Sequence, residues 1–272
     1  MPPDSALQGR RGRGSGSAAA TDSARGVASA ASVPPPTADP CSTQTFTLPA
    51  VASPVRLRFT CRIRPDLEAA VFAQTIRGKT FDPWAVRPLV DRWMKELAPG
   101  AIGWLGTTSG VTDDNELFVL VRFESENDAR ANSDRPEQGE WWAEMETLFD
   151  EGPTFRDSSV VFVETRGDLD AAEFVQVRMG KFRDRDRATK IMIDSLPART
   201  ADRPDILGTV NIGFGNDEAV ALIYFKSVEA AREGGSKEPS PEVKAVLEEM
   251  QSLSVGQPEI LNLRTLWLDS PD

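Results

Sequence analysis

Alternation of apolar and polar residues marks the first predicted strand, from Val55 to Arg64. One face holds Val55, Leu57, Phe59, Cys61 and Ile63, and the other holds Arg56, Arg58, Thr60, Arg62 and Arg64. The spacing then becomes helical, which predicts a helix from Leu67 to about Arg77 and a second helix that begins at Pro83 and ends near Leu97.

The next stretch predicts a hairpin followed by two helices and a strand. The predicted elements are strands Ile102–Thr108 and Leu117–Phe123, helices from Ser125 to Asn132 and from Glu140 to Phe149, and a strand at Val160–Val163. The order is therefore strand, helix, strand, strand, helix, strand.

The chain repeats itself with an offset of 102 residues. Leu105–Leu148 aligns without a gap on Leu207–Met250, and 12 of the 44 aligned positions are identical. The second copy predicts the same order of elements: Phe174–Met179, Asp186–Leu196, Ile206–Ile212, Ala219–Phe225, a helix capped by Ser227, a helix from Pro241 to Met250, and Ile260–Leu268. A period of this length indicates a duplicated domain rather than a solenoid.

This order predicts an α+β fold of two tandem ferredoxin-like (split βαβ) units, each a four-stranded antiparallel sheet with its helices on one face. The third strands place apolar residues on both faces, so the two bare sheet faces should pack together as an intramolecular α+β barrel. The predicted domains are a disordered tail over 1–54, repeat 1 over 55–166 and repeat 2 over 172–270. Residues Thr80–Ala98 are interpreted as an insertion in repeat 1.

The amino-acid composition and net charge limit the kinds of partner that the chain can bind. The 272-residue chain has a net charge of −11 and a pI near 4.7, which argues against nucleic acid or an anionic membrane as a partner. Residues 1–54 are rich in Ala, Ser, Pro and Gly and contain no secretory-type apolar core, so a cytoplasmic location is expected. The chain is expected to be a monomer or a homodimer.

The absence of histidine excludes whole classes of chemistry. Imidazole general bases, catalytic triads, His-ligated haem and His-based metal sites all require that residue. Cys41 and Cys61 are interpreted as unpaired thiols, too few for a thiolate metal site. No metal and no cofactor are therefore expected.

The repeated segments resemble the dimeric α+β barrel superfamily, in particular its antibiotic-biosynthesis-monooxygenase-like branch. The resemblance is carried by the two Leu-Gly-Thr strand starts, the strands Leu117–Phe123 and Ala219–Phe225, and the Ser and Ala-Arg residues that follow each strand. It implies that small organic molecules bind between the sheets, and some such proteins oxygenate aromatic polyketides without metal or flavin. Haem-dependent relatives use a histidine that this chain lacks.

Strand parity places a set of polar and apolar side chains in the space between the two predicted sheets. The candidate ligand-binding residues are Arg58, Arg62, Phe118, Leu120, Arg122, Gln176, Arg178, Asn211, Leu222 and Tyr224. Asn132, Trp104 and Trp141 are further residue types that suit a site for an ionisable aromatic, although no motif fixes their roles. The catalytic residues stay unknown. The opposing interpretation is that side chains fill the barrel, since eight strands enclose little space.

The sequence is compatible with three functions. The first is a barrel that binds a small aromatic or carboxylated molecule, including the case of a cofactor-independent monooxygenase. The second is a non-catalytic binding or sensing module. The third is a structural protein with a filled barrel. A cavity of about 300 Å³ or more with at least one buried polar group favours the first two, and a filled lumen favours the third.

Overall fold

The computed structural model describes residues 71–271, which form ten strands and seven α-helices. The strands are β1 (Phe72–Lys79), β2 (Trp104–Val111), β3 (Glu116–Phe123), β4 (Thr154–Ser158), β5 (Val161–Thr165), β6 (Phe174–Phe182), β7 (Ile206–Gly213), β8 (Glu218–Phe225), β9 (Ser254–Leu263) and β10 (Thr265–Asp269). The helices are α1 (Pro83–Glu96), α2 (Glu126–Ser133), α3 (Pro136–Glu146), α4 (Arg185–Asp194), α5 (Leu196–Asp202), α6 (Val228–Ser236) and α7 (Pro241–Leu253). None of these helices is long and apolar enough to span a bilayer.

The strands form two five-stranded antiparallel sheets. Sheet 1 has the order β10-β2-β3-β1-β4, and sheet 2 has the order β5-β7-β8-β6-β9. The predicted α+β class is confirmed, and the four strands that each half contributes to its own sheet, β2-β3-β1-β4 and β7-β8-β6-β9, follow the ferredoxin-like order.

The two halves repeat the same register. Phe72 lies opposite Phe123 in sheet 1, and Phe174 lies opposite Phe225 in sheet 2. The side chain of Ser125 caps α2 by accepting a hydrogen bond from the Asp128 backbone, and Ser227 caps α6 in the same way. Each of these positions is matched at an offset of 102 residues.

The prediction of four strands in each sheet is wrong, because the halves exchange strands. The segment predicted at Val160–Val163 is β5, which pairs with β7 of sheet 2, and the preceding strand β4 completes sheet 1 instead. In the second half β9 stays in sheet 2 while β10 crosses to pair with β2. The division into 55–166 and 172–270 stays a prediction, and strand pairing crosses it in both directions.

Two predictions in the first half are wrong. The helix predicted to end near Arg77 is strand β1 from Phe72 onwards, since pairing with β3 and β4 on both sides decides the conformation there. The segment Thr80–Ala98 is not an insertion, because α1 is the counterpart of α4 and α5 between the first two strands of the other half. The predicted strand Val55–Arg64 and the tail 1–54 lie outside the described residues.

The main core lies between the two sheets, in a layer that we call the seam. It holds Ala73, Phe118, Leu120, Val175, Val177, Val210, Ile212, Val220, Leu222, Tyr224, Leu261 and Leu263, all buried. Arg77 and Met179, which are equivalent positions in the two halves, meet across it with the guanidinium 3.7 Å from the sulfur. The predicted face-to-face packing of the sheets therefore holds for the described residues.

Candidate ligand-binding site

The seam, where the sequence predicts a pocket, is packed. Phe118, Leu120 and Leu222 are at most 1% exposed and belong to one apolar cluster. Tyr224 shares that cluster, and its hydroxyl lies 2.6 Å from the Thr108 hydroxyl. Apolar side chains from both sheets fill the volume in which the sequence predicts a ligand, which agrees with the interpretation that side chains fill the barrel.

Arg122 lies on the seam face of β3, and its guanidinium reaches the backbone rather than an acid. Nη2 donates to the carbonyl of Leu105 at 3.4 Å, while Nε is buried without a hydrogen-bond partner among the described residues. Arg58 and Arg62 lie outside the described residues.

Gln176, Arg178 and Asn211 lie on the opposite face of sheet 2, so their predicted position between the sheets is wrong. They alternate along their strands with the buried seam residues, and strand side chains alternate between faces. Gln176 donates to Asn262 at 3.0 Å, Arg178 donates to Gln176 at 2.7 Å, and Asn211 donates to Thr209 at 2.9 Å. These three side chains are therefore partnered within their own half.

A cavity of about 310 Å³ lies on the other side of sheet 1, between the sheet and helices α1, α2 and α3. Its floor is the face of β3 that carries Leu117, Val119, Val121 and Phe123. Its walls come from Val86, Val90 and Trp93 on α1, Ala129 and Asn132 on α2, and Trp141, Trp142 and Met145 on α3. The helices cover this face of the sheet without filling the space beneath them.

Aromatic side chains give the cavity a defined shape. Trp141 lies between Trp93 and Trp142, with ring centroids 6.5 and 6.1 Å away, and Trp142 packs edge-on against Phe155 at 5.1 Å. Two indoles are held by hydrogen bonds: Trp93 Nε1 donates to Gln138 at 2.7 Å, and Trp141 Nε1 donates to the Leu89 carbonyl at 2.8 Å. These contacts hold the wall in place before any ligand binds.

Ser109 supplies an unpartnered polar group in this apolar setting. Its side chain lines the cavity, the residue is 1% exposed, and its hydroxyl has no hydrogen-bond partner within residues 71–271. Leaving a buried hydroxyl unpaired is unfavourable, by about 1–3 kcal/mol. Such a group in a cavity wall is what a ligand hydrogen bond would satisfy.

Asp269 is the charged residue among the cavity-lining side chains. Its side chain is 8% exposed, and Arg87 donates to both carboxylate oxygens at 3.4 Å, while Arg87 lies closer, at 2.7 Å, to Asp91. Burial raises the pKa of the Asp269 carboxyl above its ordinary value, and the Arg87 charge opposes that rise. The carboxylate is therefore only loosely paired.

Asp269 stands at one end of a row of residues that pair across the neighbouring strands of sheet 1. Asp269 lies opposite Thr107, Thr107 opposite Val121, Val121 opposite Gln74, and Gln74 opposite Asp157. Asp157, at the far edge, is exposed and accepts a hydrogen bond from Gln74 at 2.9 Å. The row thus has a buried acid at one end and a solvated acid at the other.

In the second half, the positions that correspond to Asp269 and Ser109 hold polar side chains that have hydrogen-bond or salt-bridge partners. Glu164 lies opposite Thr209 as Asp269 lies opposite Thr107, but it forms a salt bridge with Arg166 and has Arg199 at 3.9 Å. Thr209 also donates to it at 3.3 Å. Asn211, which donates to Thr209, stands where the first half has Ser109. The two halves therefore differ at the position where the first half leaves a polar group free.

Sequence reasoning found part of this site. Trp141 and Asn132, singled out by residue type, line the cavity, whereas Trp104 packs beside it in an adjacent cluster. Ser109 and Asp269 were missed, because a serine in a strand and an acid near the chain end carry no motif. Within residues 71–271 no three His, Cys, Asp or Glu side chains group as metal ligands.

Comparison with known proteins supports the fold. No family model and no curated protein matches the chain. A Fusobacterium nucleatum protein, described provisionally as a monooxygenase, matches with a TM-score of 0.62 and 8% identity over 74% of this chain and 95% of its own. A Lactobacillus acidophilus protein with the same description matches with a TM-score of 0.58 and 12% identity over 73% of this chain and 99% of its own. An anthrone oxidase-like protein matches with a TM-score of 0.53 and 14% identity over 75% of this chain and 94% of its own.

At these identities the likeness defines the fold. The chain has the fold of the dimeric α+β barrel superfamily, to which the antibiotic-biosynthesis-monooxygenase-like proteins belong. The resemblance seen in the repeated strands is confirmed at that level. Both sheets of this barrel are formed here by one polypeptide.

Proposed function

We propose that the protein binds a small aromatic molecule in the cavity between sheet 1 and helices α1–α3. The observation that carries this proposal is a preformed, tryptophan-lined cavity of about 310 Å³ containing the unpartnered hydroxyl of Ser109. Small-molecule sites typically combine mostly apolar walls with a few convergent polar groups.

The aromatic character of the ligand follows from the walls. Indole and phenyl side chains pack favourably on another ring in offset or edge-on geometry, with about 0.5–1.5 kcal/mol per pair beyond burial. The ring of Trp141 already adopts tilted geometry with two neighbours, and its indole nitrogen is engaged with backbone. An aromatic ligand could extend this arrangement without disturbing it.

The reaction that suits this site is oxidation of the bound aromatic by O₂, with the substrate as the source of electrons. For an activated methylene the balance is R₂CH₂ + O₂ → R₂C=O + H₂O. The two proteins that are provisionally described as monooxygenases and the anthrone oxidase-like protein share this fold, which supports the choice of reaction by analogy. The alternative is a binding module without catalysis.

Binding is tested by filling the cavity. Val121→Phe adds a phenyl group to the cavity floor, and the free space there should accommodate it with little loss of stability. Isothermal titration calorimetry with 1-naphthol should show binding to the unmodified protein and at least tenfold weaker binding to this variant. Ile223→Phe, the equivalent position on β8, is the matched control and should bind normally. Equal affinity in both variants would refute the cavity assignment.

Catalysis is tested separately by oxygen consumption. A panel of dihydroxynaphthalenes and anthrone should cause O₂ uptake above the uncatalysed rate, and Val121→Phe should abolish the excess. Binding without any excess uptake would support the non-catalytic alternative.

A further inference from the structure

We propose that Asp269 makes this cavity selective for neutral aromatic molecules that carry a hydroxyl group, and that it excludes aromatic anions. The inference rests on the proposed function, since it names the ligand class of the same cavity. It also means that a residue from the second half of the chain determines what the first half binds.

The position of Asp269 comes from strand exchange. Strand β10 follows β9 of sheet 2 along the chain but pairs with β2 of sheet 1, in the register that sets Asp269 opposite Thr107. Leu266 and Leu268 pack against the seam, so alternation sends Trp267 and Asp269 to the cavity side. The terminal strand thus delivers an acid to the rim of a cavity built by the other half.

The neighbouring groups show what such an acid can hold. Ser109 is two residues from Thr107 on the same face of β2, about 6–7 Å along the strand. The Thr107 hydroxyl already accepts a hydrogen bond from Trp104 Nε1 at 3.1 Å. The Ser109 hydroxyl and the Asp269 carboxylate are therefore the two unsatisfied or weakly satisfied polar groups at this end of the cavity.

These two groups have complementary roles toward a ligand hydroxyl. The carboxylate can accept the ligand's hydrogen, and the Ser109 hydroxyl can donate to the ligand's oxygen. A hydrogen bond to a charged group contributes about 1.5–3 kcal/mol, which corresponds to at least about a tenfold preference for a ligand that can donate.

Charge decides against the other ligand classes. An aromatic carboxylate or sulfonate would bring a second negative charge beside a buried carboxylate, where repulsion is weakly screened. A cationic amine would compete with Arg87, which already stands 3.4 Å from both oxygens. A neutral donor avoids both conflicts. The carboxylated ligands considered from the sequence are thus the class that this cavity rejects.

The test uses four probes with the same bicyclic ring. Calorimetry at pH 7 compares 1-naphthol, 1-methoxynaphthalene, 1-naphthalenesulfonate and 1-naphthylmethylammonium on the full chain. We expect 1-naphthol to bind roughly tenfold tighter than the methoxy compound, and the sulfonate to bind weakest. A cation that binds tightest, or a sulfonate that binds as well as 1-naphthol, would overturn the inference.

Variants assign the selectivity to one side chain. In Asp269→Ala the ratio of naphthol to methoxynaphthalene affinity should fall to about twofold or less, and in Asp269→Asn the sulfonate should gain affinity. Asp157→Asn removes the exposed acid at the other end of the row of paired residues across sheet 1. This variant should change neither the naphthol to methoxynaphthalene ratio nor the affinity for the sulfonate. An unchanged ratio in Asp269→Ala would refute the role of Asp269.

A pH series on the unmodified protein does not depend on any variant's folding. The charged groups around Asp269 are Arg87 and Asp91 on α1 and Asp170 in the turn before β6. The sulfonate keeps its charge at low pH, so its binding should strengthen as Asp269 becomes protonated, and Asp269→Asn should lack this change. If the unmodified protein binds none of the probes, the proposed function itself fails. If the probes bind without discrimination, only the selectivity inference fails.

Discussion

The backbone of Glu164 passes so close to Gly208 that a Cβ atom built on Gly208 would lie 2.4 Å from the Glu164 carbonyl oxygen. The equivalent glycine, Gly106, has a φ of +133° and would place its Cβ 3.1 Å from the Asp269 carbonyl oxygen. Both glycines sit at irregularities in the register of their strands. The repeated Leu-Gly-Thr sequence therefore forms the place where each exchanged strand docks.

Gly208→Ala should separate β5 from β7. The methyl group cannot fit against the Glu164 backbone, and relieving such an overlap typically costs about 1–3 kcal/mol. We expect urea denaturation to show a lower midpoint with an unchanged slope. Gly152→Ala is the control, because a Cβ there meets nothing within 4 Å. Equal stability of the two variants would show that the close approach is not maintained in solution.

Much of the fold could be predicted from the sequence because it depends on local pattern. The strands flanking each hairpin and the serine caps are each encoded by a short stretch, and the offset of 102 residues is visible when the sequence is aligned on itself. The exchange of strands between the halves cannot be predicted in this way, because the five residues of Val161–Thr165 have the same alternation whichever sheet they join. The signal was present in the identical glycines Gly106 and Gly208, but only the structure shows what each glycine makes room for.

The cavity lies on the other face of sheet 1 from the one where the sequence predicts a pocket, for a related reason. Strand Glu116–Phe123 is apolar on both faces, so alternation separates the two faces without saying which one is covered completely. Phe118 and Leu120 pack against sheet 2, while Val119 and Val121 lie under helices that leave a space. Incomplete packing depends on side chains from several elements and has no local signature.

Tyr224 is the chain's single tyrosine, so its ionisation can be followed directly. Burial raises the pKa of its phenol, and the fully buried hydroxyl is paired with Thr108. With a raised folded pKa, its contribution to stability is complete below the ordinary pKa of about 10 and is lost as the pH rises through the folded pKa. Tyrosinate absorbance should therefore appear only together with alkaline unfolding.

The same hydroxyl can be removed to test the seam. Tyr224→Phe leaves Thr108 without that partner and should lower the free energy of unfolding by about 1–3 kcal/mol at neutral pH. The difference from the unmodified protein should shrink above pH of about 10. A tyrosinate signal that develops while the far-ultraviolet circular dichroism stays native would contradict a closed seam.

Glu259 of sheet 2 reaches Arg77 of sheet 1, and Arg77 also contacts Glu116. The Arg77 hydrogen bond lowers the pKa of the Glu259 carboxyl, so its contribution to stability is present above the ordinary pKa and is lost as the pH falls through the lowered value. Glu259→Gln should therefore reduce stability at pH 7, by at most about 1 kcal/mol for so exposed a pair. The reduction should vanish at low pH and in an Arg77→Met background, and an effect that survives in that background would show that the pair is not its source.

Asp269 should reduce stability at neutral pH, as expected for a group retained for binding. Because burial raises its folded pKa, its favourable contribution is complete below the ordinary pKa of about 4 and is lost as the pH rises through the folded value. Asp269→Asn should therefore melt at a higher temperature than the unmodified protein at pH 7, with the difference vanishing as the pH falls. Asp157→Asn, at the exposed end of the row, should show no comparable increase. A lower melting temperature for Asp269→Asn at pH 7 would mean that the Arg87 pair outweighs desolvation, and the carboxylate would then be better paired than its 3.4 Å contacts indicate.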